Sequence, residues 1–220
     1  MEPFRLCLAM GPVAIYLLLV GAMNLSRRSR LVSGTRDAAA LALGLVGLVI
    51  VGPVELFFPE DALLRLGPGA GSLLLGVYLA LYGLALVLLL LMLRPRLVIY
   101  NISPDQLRPI LAETAERLDP GARWAGDCLA LPALGVQLHI DSHAAMRNVV
   151  LASAGSHQEF AGWRRLHLAL AAALARVEVA RNPRGISLVS TGALILGALA
   201  VVMVRDHEAI AHAVRNMLQM

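Results

Sequence analysis

The stretch 72-SLLLGVYLALYGLALVLLLLMLRPRLVIY-100 decides how the rest of the chain is read. Its first part, Ser72 to Leu93, is apolar without a break. At ~1.5 Å rise per residue it is long enough to cross a hydrocarbon core of about 30 Å. The run stops at Arg94-Pro95-Arg96 and passes directly into Leu97-Val98-Ile99-Tyr100, whose β-branched and aromatic residues read as a strand. A membrane helix therefore feeds a folded domain with almost no linker. The position of that domain against the bilayer is expected to be fixed rather than loosely tethered.

Three further segments resemble Ser72–Leu93. Leu6–Met23 carries Gly11-Pro12, which predicts a kink. Ala38–Phe58 carries Ala40, Gly44 and Gly47 at helical spacing, and Ile186–Val204 carries Ala193 and Gly197. Small residues at that spacing let another helix approach. The chain of 220 residues is 58% hydrophobic and 15% charged, an apolar excess that four spans account for. The expected fold class is a multi-pass α-helical membrane protein with an inserted small α+β domain. Residues 1–95 form the membrane region, with helices at about 6–23, 38–58 and 72–93. Residues 96–181 form the domain, 186–204 the fourth span and 205–220 a short amphipathic tail. Val20-Gly21-Ala22 fits a leader-cleavage rule loosely. The length of the run, Glu2 beside Arg5 and the arginines that follow favour a retained span over cleavage of residues 1–22.

All nineteen Lys/Arg positions are arginine, and their placement predicts orientation. Arg27, Arg28, Arg30 and Arg36 follow the first span, Arg94 and Arg96 follow the third, and Arg181 and Arg184 precede the fourth. The loop between the second and third spans holds Glu60 and Asp61 with only Arg65. The positive-inside rule then puts residues 96–181 in the cytoplasm and both termini outside.

Within 96–181 the expected order is β-α-β-β-β-α with a mostly antiparallel sheet. Ser103-Pro104-Asp105-Gln106 is a capping box with proline at the first helical position. Leu107, Ile110, Leu111, Thr114 and Leu118 share one face of the helix it opens. Strands are expected at Cys128–Leu131, Gly135–Asp141 and Arg147–Ser153. In the second of these, Val136, Leu138 and Ile140 alternate with Gln137, His139 and Asp141. Ser156 and Glu159 read as a second capping box. It opens a helix carrying Phe160, Trp163, Leu166, Leu170, Leu174 and Val177 on one face, closed by Asn182-Pro183. Two helices cover one face of the sheet, so the face bearing Gln137, His139 and Asp141 is left as the binding surface. The 96–181 segment is expected to fold by itself.

The chemistry-bearing residues are few. His139, Asp141 and His143 lie two apart on one strand face and are types that suit zinc; the competing reading is a polar face running into a turn. His207-Glu208 with His212 misses the zincin spacing by one residue and reads as a polar helix face. Asp127, His139 and Ser142 carry no nucleophile-elbow motif. Trp163 fits the core face of its helix, while Trp124 sits elsewhere in the domain. Glu55, between Pro53 and Pro59, is an intramembrane or interfacial acid: an acid among apolar residues is a functional candidate, and its place near the end of the span favours a carboxylate that reaches water. Cys7 and Cys128 form no pair motif. There is no Walker loop, dinucleotide fingerprint or nucleic-acid surface, so neither a cofactor nor a nucleic acid is expected. The expected partners are the lipid bilayer and a protein, another copy of the chain included. The leading expectation is a non-catalytic scaffold, assembly or regulatory subunit. The alternatives are a small transporter or channel subunit, which lacks mid-membrane polar residues, and a membrane-bound enzyme using the His139 region.

Overall fold

The structure, a computed structural model, describes residues 3–57, 70–143 and 147–205. Helix α1 (Pro3–Leu25) is followed by strand β1 (Arg30–Ser33), α2 (Gly34–Phe57) and α3 (Ala70–Met92). Then come β2 (Arg96–Tyr100), α4 (Pro104–Leu118), β3 (Arg123–Ala125), β4 (Cys128–Leu131) and a 3-10 turn (Pro132–Leu134). Strands β5 (Val136–His143) and β6 (Asn148–Ser153), and helices α5 (Phe160–Leu174) and α6 (Arg184–Arg205), complete the chain. The chain divides into two compact units.

One unit holds α1 up to Leu19, α2 from Ala39, α3, and α6 from Leu188. Among the described residues, three helices are long and apolar enough to cross a membrane: Pro3–Leu25, Gly34–Gly52 and Arg184–Arg205. Helix α3 is 23 residues long and apolar, and among the described residues its Gly76–Met92 part is a further apolar helical stretch. Pro12 lies inside α1 without ending it. The small residues act where the backbones meet. A side chain on Gly47 would strike the Leu8 carbonyl, and one on Gly44 would strike the Tyr16 ring. On α6 the close approach uses Gly192, set against the Ala14 carbonyl, while Gly197 faces open space. The expected Ala193–Gly197 seam is therefore displaced by one position along the helix. Tyr78 and Tyr82 donate hydroxyl hydrogen bonds to the carbonyls of Val49 (2.7 Å) and Ala42 (3.3 Å), binding α3 to α2 through polar groups. Such bonds matter where water is scarce and lipid offers no competing acceptor.

The other unit, Val20–Ala38 with Leu93–Ser187, is an α+β domain. Its sheet has six strands in the order β1-β2-β6-β5-β4-β3, and every pair is antiparallel. This corrects the β-α-β-β-β-α reading by two strands. β3 was not expected, and β1 comes from outside 96–181, between two apolar helices. β1 runs against β2 with Arg30 opposite Tyr100 and Ser33 opposite Leu97. One core unites the strands with both amphipathic helices. Leu97, Ile99, Leu129, Leu131, Val136, Leu138, Ile140, Val149 and Leu151 meet Leu107 and Leu111 of α4 and Leu166 and Leu170 of α5. Burying each such side chain stabilises by about 1.5–3 kcal/mol, so this one layer holds the domain together.

Local chemistry explains the turns. Ser103 accepts the Gln106 amide, and the Gln106 side chain accepts the Ser103 amide, closing the expected capping box. Asp119 is buried and accepts the amides of Gly121 and Ala133, both at 2.8 Å. It thereby ties the end of α4 to the 3-10 turn. The Ser156–Glu159 box does not form, since Glu159 caps α5 without a side-chain hydrogen bond. Gln158 dominates that loop. It accepts from Trp163 Nε1 (2.8 Å) and donates to the Gln137 carbonyl (3.0 Å), fastening the loop to β5. Helix α5 ends at Leu174, so Val177 packs on the core from beyond it, and Asn182-Pro183 precedes α6 rather than closing α5.

Candidate functional site

In β4, Leu129 and Leu131 are buried, so Cys128 and Ala130 point the other way. In β5, Val136, Leu138 and Ile140 are buried, and Gln137, His139 and Asp141 share the opposite face. The register sets Cys128 directly across from His139. Cys128 Sγ lies 3.4 Å from His139 Nδ1, and His139 Nε2 lies 3.5 Å from Asp141 Oδ1. A thiol, an imidazole and a carboxylate thus form a line across two strands. The His139 and Asp141 side chains are 43% and 58% exposed, so the line is open to solvent.

The residue order is that of a nucleophile, its base and the group that orients the base. Catalysis by such a line also needs donors for a developing oxyanion and a concave floor. Neither cleft described below includes these residues. Gln137 is set less freely than its neighbours: its backbone is bound by Gln158, and its side-chain oxygen lies over Gly155, which has φ +87°. His143 ends β5 opposite Asn148, and its side chain lies outside the described residues. Among the described residues no three His, Cys, Asp or Glu side chains are grouped to hold a metal ion. Asp127 pairs with Arg108. Glu55 falls near the end of α2 with its side chain outside the described residues, as do His207, Glu208 and His212 entirely. Trp163 is buried in the core, and Trp124 is exposed on edge strand β3.

The face opposite the helices is not uniformly open. Val98 and Tyr100 of β2 are buried although they point away from the main core. The Tyr100 hydroxyl donates to Asp37 in the first turn of α2, and the Asn101 side chain donates to the Ser26 carbonyl. The exposed part of the face is therefore its β3–β4–β5 end.

A cleft of about 460 Å³ lies at the other end of the domain. It is lined by Ser33, Thr35 and Arg36 at the start of α2, and by Leu93, Pro95, Arg96 and Leu97 leading into β2. Phe160, Trp163, Arg164, His167 and Leu168 of α5 complete it. Glycine at position 34 lets Arg96 lie across the start of α2, because any side chain there would strike Arg96 Cγ. Arg96 stands 3.9 Å from Asp37, while its Nε is buried and meets no hydrogen-bond partner. Burial and the Arg36 guanidinium hold the His167 imidazole below its ordinary pKa. A second recess, of about 500 Å³, is lined by Arg27 and residues 178–181 and joins the two chain segments flanking the domain. Comparison with known proteins finds no matching family model, no matching curated protein and no matching solved structure.

Proposed function

We propose that this chain is a four-span membrane protein whose α+β domain lies on the cytoplasmic side and acts, without catalysing a reaction, as a platform for a protein partner. The pairing of β1 with β2 carries the reading. Two strands of one ladder lie on one side of any bilayer, so α2 and α3, which separate them in sequence, cross together or not at all. The same logic covers the flanks. Val179 and Asn182 donate backbone hydrogen bonds to the carbonyls of Arg27 and Asn24, so the end of α1 and the start of α6 share that side. The arginine clusters around residues 27–36, 94–96 and 181–184 then all fall on the domain side, as cytoplasmic retention of basic loops requires.

A photo-crosslinking side chain at position 137 in the full chain is expected to capture a protein from cells. Capture should fall at least fivefold in the His139→Ala/Asp141→Ala double variant. The melting temperature should barely move, because exposed substitutions change stability by about ±0.5 kcal/mol. A large loss of stability would place these side chains in the fold rather than at a contact and overturn the assignment of the face.

The 3.4 Å approach of Cys128 to His139 favours a second reading, thiol chemistry at the same face. It predicts that His139→Ala slows alkylation of Cys128 by iodoacetamide more than tenfold. The platform reading predicts a change below threefold.

A further inference from the structure

We propose that the cleft between the start of α2, the start of β2 and α5 binds the phosphodiester headgroup of an anionic lipid, with Arg36, Arg96 and Arg164 as its ligands. The inference rests on reading α2 and α3 as membrane spans. Three arginines and a histidine line the cleft, and no carboxylate does. Asp37, next to Arg36 in the first turn of α2, is already engaged by the Tyr100 hydroxyl and lies 3.9 Å from Arg96. The buried Arg96 Nε has no protein acceptor, and an anion in the cleft supplies one. Guanidinium groups fit phosphate oxygens in two-point geometry, and the first turn of α2 adds its partial positive charge.

The apolar half of the cleft selects lipid over a soluble phosphate. Phe160 and Leu168 are 76% and 62% exposed, and with Arg164 between them they form one stripe of α5 at four-residue spacing. Two large apolar side chains held in water beside a cationic pocket match a molecule with a charged head and an acyl tail. The cleft walls are also the residues where α2 begins and where the chain leaves α3, the depth at which headgroups lie beside a spanning helix.

His167 gives the site a pH dependence. Arg36 from α2, Arg96 from β2 and Arg164 on its own helix share the cleft with it, and burial together with Arg36 disfavours its protonated form. A bound phosphodiester offsets those cations. Lipid binding is therefore linked to proton uptake and tightens as pH falls through the histidine range. The phosphodiester itself keeps one charge over that range.

The test is native mass spectrometry of the detergent-solubilised full chain, titrated separately with phosphatidylglycerol, phosphatidylcholine and soluble glycerophosphate. Phosphatidylglycerol is expected to bind at least tenfold tighter than phosphatidylcholine. Arg36→Gln/Arg164→Gln should erase that preference, while Arg165→Gln, on the same helix but outside the cleft, should leave it intact. Phe160→Ser/Leu168→Ser should weaken phosphatidylglycerol and leave glycerophosphate unchanged. In His167→Gln the tightening at low pH should vanish. Circular dichroism on each variant separates lost binding from lost fold, and Arg164→Lys supplies a milder change that keeps the charge. Equal affinity for both lipids would overturn the proposal, as would equal losses from Arg165→Gln and Arg164→Gln. Glycerophosphate binding as tightly as phosphatidylglycerol would make this a free-phosphate site and overturn the lipid assignment.

Discussion

Removing residues 35–94 and joining Gly34 to Pro95 through a short Asn–Gly turn, in a chain running from Ser26 to Arg181, should give a soluble, monomeric α+β domain. The segment 96–181 alone should fold less stably and self-associate. The difference comes from β1. It lies antiparallel to β2 with Ser33 opposite Leu97, so the two cut ends are cross-strand neighbours that a hairpin turn can join. Without β1, the backbone groups of Leu97–Tyr100 become an open edge on a strand of apolar residues, a template for pairing with another copy. Leu31 of β1 also packs against the core, so its loss uncovers apolar surface beside that edge. Sedimentation and far-UV circular dichroism on the two proteins decide the matter. A 96–181 fragment that stays monomeric with the same melting temperature as the joined protein would mean that β1 is dispensable.

Gly162→Val should strongly destabilise the domain. Gly162 sits in the first turn of α5, against the 3-10 turn, and a Cβ there would collide with the Leu134 carbonyl and approach Val136 Cγ2 to 2.9 Å. The nearest atom belongs to the backbone, so it cannot swing aside; the helix or the turn must move. Overpacking costs about 1–3 kcal/mol, and a branched side chain against a carbonyl belongs at the upper end. In a domain of this size each kcal/mol lowers the melting temperature by roughly 4–8 °C, so a drop of about 15 °C is expected. Gly162→Ala should also destabilise, although alanine is favoured over glycine in a helix by about 1 kcal/mol. Ala161→Val, one residue earlier on the exposed side, serves as the control with little effect. Wild-type stability in Gly162→Val would show that α5 does not pack on the 3-10 turn.

The parts of this architecture legible in the sequence are those written in local periodicity. Apolar runs, the Ser103–Gln106 box and the alternation of Val136, Leu138 and Ile140 each follow from residues near one another. β1 was not legible. Arg30-Leu31-Val32-Ser33 is four residues inside a basic cluster, and its partner lies beyond two apolar helices. Nothing local distinguishes such a segment from a charged loop. β3 fails for a related reason: Arg123-Trp124-Ala125 is exposed along its length and has no buried alternation to read. The Ser156–Glu159 box lost to a tertiary competitor, because Gln158 is more strongly held by Gln137 and Trp163. At the candidate site, the polar face was readable and its key contact was not. Alternation says that Cys128 points away from Leu129 and Leu131, but only the strand register places it opposite His139. The arginine cleft gathers residues from three separated segments, so composition hints at its charge and only the fold assembles it.

The central claim is that β1, the domain and the arginine clusters lie on the cytoplasmic side, with two membrane crossings between β1 and β2. Thiol accessibility tests it most directly. In a background with Cys7→Ser and Cys128→Ser, single cysteines replace Arg30, Arg108 or Asp61, and intact cells are treated with an impermeant maleimide. Arg30→Cys and Arg108→Cys should react only after the cells are opened, whereas Asp61→Cys should react at once. Labelling at position 108 in intact cells, with position 61 protected, would contradict the account.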